Sequence, residues 1–430
     1  MTAGTAHDQV IARFVAQHAD DAAFLWSVRD GRLRAPHVAL SDLRRHDERI
    51  EAHLDGLRIA GDAGWAVCRE ALAEQEPGEV FAAAVLAFES ARVDRIRDAL
   101  TEARAGPPLA RAAVSALGWL PTRPACGLAE RLTTAADPVL QRIGLAALAV
   151  HRVDPGVALG RALTADDPAL LARALRAAGE LGRADTLPLV RAHCVAENPA
   201  VRVEAAWSAA LLARDPAAVA LLLRVVEVPA PSNGANRDVR RRDRMLHLAV
   251  RRLDPAPALH WVQHLAAHVD LQRDAIAAAG ALGDPALVPW LLDLMRAAPL
   301  ARVAGAAFTD ITGADIGREQ LRGSPPPDFH AGPTEDPDDE NVTLDPDEHL
   351  PWPNPAAVEH WWTHHRASLP AGTRHLLGRP ITDDWLAHVL RHAHQPQRAA
   401  TALELALRHP GTPLFEVRAP GSRQQRALGA

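Results

Sequence analysis

Apolar residues along this chain fall in short Ala-, Leu- and Val-rich stretches, and four of these begin at regularly placed prolines. Pro108, Pro138, Pro168 and Pro199 open PLARAAVSALGWL, PVLQRIGLAALAV, PALLARALRAAGELG and PAVRVEAAWSAALLA, at spacings of 30, 30 and 31 residues. Few segments alternate apolar and polar residues in the period-2 manner of a half-buried strand, so the stretches predict helices. Asp137, Asp167 and Asn198 precede three of the prolines. That order places an N-cap side chain on an orphan N–H, followed by a first helical residue with no N–H to orphan. A second, shorter helix should follow in each unit, as in TLPLVRAHCVA after Arg183.

The series resumes after an irregular stretch. DLQRDAIAAAGALGDPALVPWLLDLMRA matches LLARALRAAGELGRADTLPLVRAHCVA, with Gly280 and Gly283 standing against Gly179 and Gly182, and Pro299 opens PLARVAGAAF. Helix, Gly-containing turn, helix, at about 30 residues, is a HEAT-type period on the short side. One such unit cannot bury its apolar face alone, so neighbours must stack. The fold class expected is therefore all-α, a HEAT-like helical-repeat solenoid (an α-α superhelix). Its helices should begin within about four residues of Pro108, Pro138, Pro168, Pro199 and Pro299.

Four regions follow from the pattern. Residues 1–100 read as a helical N-terminal cap, with Ser41 capping a helix whose stripe is Leu43, Ile50, Leu54 and Leu57, and with Phe81, Val85 and Phe88 on another. Residues 101–319 carry the repeats. Residues 320–351, rich in Pro and acid, read as a linker with little stable structure. Residues 352–430 form a small C-terminal helical segment.

Composition supports helix: 48% of residues are hydrophobic, aromatics are only 4%, Tyr is absent, and Ala and Leu dominate. All 47 basic residues are Arg, in line with the inflated Ala, Pro and Leu of a GC-rich genome. A net charge of −6 gives no global field toward nucleic acid or anionic membrane. Cys68, Cys126 and Cys194 are far apart in apolar helical contexts and imply buried thiols rather than disulfides. The start, MTAGTAHDQV, has no basic n-region before an apolar run, and no stretch is long and apolar enough to span a bilayer. A cytoplasmic protein is expected.

Candidate chemistry is sparse. His360 and His364, and His388 and His392, are i,i+4 pairs that two packed helices could offer to a metal. HWWTH lacks the acid of a HExxH motif, though, and 21 histidines make chance pairs common. His260, His264 and His268 form a weaker stripe. No metal and no cofactor is expected. The run RDVRRRDRMLHLAVRR has a stripe of Val239, Leu246, Val250 and Leu253, which should leave most of its Arg in solvent. Arg240, Arg241, Arg244 and Arg251 are its candidate partner-binding residues. The acidic run 335–348 should lie over this helix and neutralise it through weak ion pairs. No GxxxxGK[ST] loop and no GxSxG elbow occurs, so no enzyme is expected.

HDERIEAHLDGLRIAG, AGAAFTDITGADI, LPWPNPAAVEHWW and ALELALRHPGTPLFEVRAPGSRQQ, in that order, resemble a family of proteobacterial HEAT-repeat proteins often encoded beside type VI secretion genes. The resemblance carries over no activity residue by residue. It implies a protein-binding adaptor or chaperone near the secretion machinery, whose partner would be a secreted effector or an apparatus component. A toxin-neutralising immunity protein and a nucleic-acid-modifying repeat enzyme acting through the Arg-rich helix are the alternatives. Nucleic acid and membrane are not expected partners.

Overall fold

A computed structural model describes residues 4–229, 236–327, 329–332 and 345–429, with no account of the side chains of residues 4–11 and 236–239. The fold is an all-α helical-repeat solenoid of HEAT-like type, with about 72% of the described residues helical. The chain packs as two compact units. The first comprises Met1–Ala213, Arg391–Pro396 and His409–Ala430; the second comprises Arg214–Leu390 and Gln397–Arg408.

The first unit begins with α1 (Gly4–Arg32), α2 (Leu40–Ile59), α3 (Asp62–Ala71), α4 (Pro77–Ser90) and α5 (Val93–Ala103). The repeats follow as α6 (Pro107–Trp119), α7 (Thr122–Leu132), α8 (Pro138–Val150), α9 (Val157–Ala162), α10 (Pro168–Glu180), α11 (Leu187–Ala192) and α12 (Pro199–Leu212). Helices α4, α6, α8, α10 and α12 stack in one row, each on the next, while α5, α7, α9 and α11 pack beside them as the second row. The second unit repeats the arrangement. Its α13 (Pro216–Glu227), α15 (Pro255–Ala266) and α17 (Val288–Leu294) flank a row of α14 (Asn236–Arg252), α16 (Gln272–Leu282) and α18 (Ala298–Thr312). Then come α19 (Pro355–His365), a hairpin of two-residue strands at His375–Leu376 and Arg379–Pro380, α20 (Asp383–His392), α21 (Gln395–Arg408) and α22 (Gly421–Leu428).

Each proline expected to open a helix does so within one residue. Asp137 accepts from Val139 N at 2.8 Å, Asp167 from Leu170 N at 2.7 Å, and Asn198 from Ala200 N at 2.9 Å. Asp215, Asp284 and Asn354 cap later helices in the same way. The short period has a local cause: α9 and α11 are only six residues long, and 3-10 turns complete the second row. Small residues let the first row close up. A Cβ on Gly179 would meet Ser208 Oγ at 2.6 Å, and one on Gly280 would meet Ala307 at 3.2 Å.

Two local expectations are corrected. Ser41 does not cap α2: the helix starts at Leu40, and the Asp42 carboxylate accepts the Ala39 N–H at 3.0 Å. The anticipated stripe of Leu43, Ile50, Leu54 and Leu57 is nonetheless fully buried. The described ends of the supposed linker are also structured. Gly323 N donates to Trp352 O at 2.8 Å and Asn354 N to Leu321 O at 2.7 Å, so the two ends are zipped together.

Candidate functional site

In α8 and α10 the same turn ends the helix 30 residues apart. Val153 N donates to Leu148 O and Arg183 N to Ala178 O, the six-to-one bond that closes a helix through a left-handed residue. That residue is Gly182, at φ +68, in the later repeat and Arg152, at φ +58, in the earlier one. Glycine takes this conformation freely, whereas a side chain costs about 1–2 kcal/mol there. At Gly182 the absence of a Cβ matters twice, because one would lie 2.6 Å from the Gly411 carbonyl. At Arg152 the side chain reaches the same stretch of chain: Nε donates to Leu414 O at 2.5 Å, and Nη2 lies 3.3 Å from Glu416 Oε2.

The C-terminal segment thus runs past the C-terminal ends of α10, α8 and α1 in turn, against the order of the helices. Gly411 meets Gly182, and Leu414 N donates to Glu180 O, a carbonyl at the end of α10, at 2.9 Å. Helix ends leave such carbonyls without intrahelical partners, and the segment supplies one. Beyond Glu416, the carbonyls of Arg418 and Ala419 accept from the Arg29 guanidinium at 3.1 Å each. The same guanidinium pairs with Asp47 at 2.5 Å, and Asp47 also accepts the Gly421 N–H at 2.7 Å. The segment ends in α22, packed on α2 so closely that a Cβ on Gly421 would lie 2.7 Å from Arg44 Cα.

Charge beneath this segment is dense. Glu180 pairs with Arg173 at 3.0 Å and Arg176 at 2.7 Å. Burial alone would push the Glu180 carboxyl up, but Arg173, Arg176 and Arg152 outweigh it and hold the group well below the usual carboxylate range. Asp30 pairs with Arg111 at 2.6 Å and lies 3.6 Å from Arg418. Burial brings the Arg423 guanidinium down to about 10; it lies 2.9 Å from His151 Nδ1, an imidazole itself lowered mainly by burial. Two arginines near negative helix ends, Arg152 and Arg29, therefore face main-chain carbonyls and one acid of the segment.

The Arg-rich helix α14 is not the solvated face expected of it. Arg242 is buried and donates to Val225 O at 3.1 Å and to the carbonyls of Val226 and Val228, while pairing with Asp274 at 2.8 Å. Arg251, a candidate partner-binding residue, is corrected: it is 9% exposed and lies 3.1 Å from Glu404, which Arg374 also meets. Burial pushes Arg251 down to about 10, and burial beside Arg251 pushes His247 down to about 3. Arg240, Arg241 and Arg244 are half-buried, and each has contacts of its own. Val239 and Arg237 lie outside the described side chains. Of the acidic run, residues 335–340 lie outside the described residues, and the described acids turn elsewhere. Asp345 pairs with Arg302 at 2.7 Å on α18, and Asp347 with Arg273 at 2.7 Å on α16.

Several of the histidines make ring contacts. His360 and His364 have ring centroids 4.3 Å apart, and His388 stacks on Trp385 at 5.0 Å. His264 and His268 meet edge-on at 5.1 Å. Among the described residues no group of three or more His, Cys, Asp or Glu is placed to hold a metal, and no helix is long and apolar enough to cross a membrane. Cys68 and Cys126 are buried free thiols, and Cys194 is half-buried. A cavity of about 160 Å³ lined by Thr133, Gln141, Arg161 and apolar neighbours in the first unit brings no carboxylate, imidazole or thiol together.

The fold and this run of helix ends define a helical-repeat solenoid, a class whose members typically act as scaffolds for other proteins. A family model described as HEAT repeats matches residues 157–236, from α9 to the start of α14. No curated protein matches the chain.

Proposed function

We propose that this chain is a protein-binding scaffold, an adaptor or chaperone that holds a protein partner along its stacked helices. One observation carries the reading: the ends of α10, α8 and α1, with Asp47 of α2, already hold a non-helical stretch of polypeptide, Gly411–Pro420 and the start of α22, through main-chain bonds and an acid. Stacked repeats offer such a surface pre-ordered, which lowers the entropic cost of binding. The sequence resemblance supports a finer role beside type VI secretion, in which a secreted effector is loaded, chaperoned or neutralised. Arg240, Arg241 and Arg244 are a second contact region for that partner, with Arg251 withdrawn from it. Purification of the full chain from its native host, followed by reconstitution with each purified co-eluting protein, tests the reading. A stoichiometric complex at micromolar affinity or tighter supports it. If none of the reconstituted pairs binds, the scaffold role is wrong.

A further inference from the structure

The segment 411–421 touches its neighbours in the way a bound peptide does. Its contacts alternate between main chain and side chain: Leu414 N and O are both used, Glu416 is paired, and the carbonyls of Arg418 and Ala419 are used next. Ala419 is 5% exposed, and Gly421 approaches the α2 backbone where no Cβ fits. Arg408 to Pro410, which lead into it, are all exposed, as are its first three residues, Gly411 to Pro413. A fixed structural strap would be expected to fill apolar surface. This one is held instead by hydrogen bonds and ion pairs at helix ends and by a turn of its own, in which Ala419 N donates to Glu416 O at 3.2 Å, with Leu414, Phe415 and Val417 only half-buried. Arg152 adds an independent sign. It keeps a side chain in the left-handed position where the next repeat has glycine, and that side chain is spent on Leu414 and Glu416. Backbone strain of this kind persists where contacts over-determine it, and it clusters at ligand clamps.

We propose that the C-terminal segment is a self-ligand. It occupies a run of helix ends that recognises a turned peptide of a partner protein, with an acid two residues after an apolar residue, a turn beginning at the acid, and small residues three and five positions after the acid. The partner engages by displacing it. Arg152 reads the acid and one carbonyl, the Glu180 carbonyl takes an N–H, Arg29 takes two carbonyls, and Asp47 takes the N–H at the small residue. The inference rests on the scaffold reading, and it names the partner's chemistry. A tethered segment competes at an effective concentration on the order of millimolar, so a free peptide sees these helix ends only when the segment is weakened.

The test uses the full chain and a fluorescent synthetic peptide copying residues 409–421. Glu416→Arg in the chain sets a like charge beside Arg152 and should release the segment. Amides 411–421 should then exchange faster while those of α8 and α10 keep their protection. The variant chain should bind the peptide at least about tenfold tighter than the natural chain does. A peptide carrying the same Glu416→Arg change should bind neither. If the variant fails to fold, Leu414→Pro removes the N–H given to Glu180 and serves in its place. A released segment with intact helices and no peptide binding up to millimolar concentration overturns the self-ligand. So does a segment whose amides stay as protected as the helices in both variants. In either case a reconstituted partner complex would still stand, so the two readings fail separately.

Discussion

Arg152 and Gly182 hold the same left-handed position at the ends of α8 and α10, and both meet the C-terminal segment, one through its guanidinium and the other through its lack of a side chain. Replacing Arg152 by glycine separates the two roles. Arg152→Gly should relieve about 1–2 kcal/mol of backbone strain while losing the contacts to Leu414 and Glu416. The midpoint of thermal unfolding should therefore change little, while hydrogen exchange at 411–421 quickens. Unchanged exchange there would show that Arg152 does not hold the segment.

Gly182→Ala should be harmful for both reasons at once. The new Cβ sits in a left-handed residue and against the Gly411 carbonyl, and about 1–3 kcal/mol of stability should be lost. Denaturant unfolding measures it, and a loss below about 0.5 kcal/mol would mean that the segment moves aside freely.

Glu180 gives a pH signature. Its carboxyl lies below the ordinary value of 4.5 because three arginines outweigh burial. A carboxyl lowered on folding contributes stability that is present above the unfolded value and is lost as pH falls through the folded one. Glu180→Gln should cost about 3–5 kcal/mol at pH 7, since it leaves Arg173 and Arg176 beside an uncharged group. The difference from the natural chain should shrink toward pH 2. A gap that stays constant with pH would contradict the ion-pair account.

Asp310 has the opposite sign. Burial lifts its carboxyl to about 6, against the hydrogen bond from Gln397 and the charge of Arg251. A carboxyl raised on folding favours the folded chain as pH drops from about 7 toward 4, and it costs stability above that range. Asp310→Asn should therefore raise stability at pH 8 by about 1–2 kcal/mol and flatten the dependence between pH 4 and 7. Urea unfolding at both ends of that range checks it.

The repeat was legible because its signals are local. An N-cap, a proline and a small-residue stripe lie within one turn of each other, so Asp137–Pro138 or Asn198–Pro199 fixes a helix start without any distant contact. Gly179 and Gly182 stood out as repeated glycines, yet their reasons are long-range: one admits Ser208, and the other admits Gly411. The Arg-rich helix was misread because periodicity treats every arginine as solvent-seeking. Arg242 is buried because the end of α13 offers it carbonyls and Asp274 offers a carboxylate. Nothing local marks the 411–421 segment as a ligand of its own chain. The one trace in sequence is an arginine, Arg152, standing 30 residues before a glycine in the repeat register.

Arg242 offers a stability check on that lesson. Arg242→Ala would leave Asp274 without its cation and several carbonyls without a donor, and it should cost about 3–5 kcal/mol. A surface arginine would cost within about 0.5 kcal/mol, and a result that small would return α14 to solvent.

The most direct measurement of the central claim is hydrogen exchange on the full chain, alone and bound to a reconstituted partner. If the partner takes the place of the C-terminal segment, amides 411–421 lose protection on binding, while Arg152, Gly182 and their helix ends stay protected. If the partner binds and amides 411–421 keep or gain protection, the segment is a permanent part of the fold and the account is wrong.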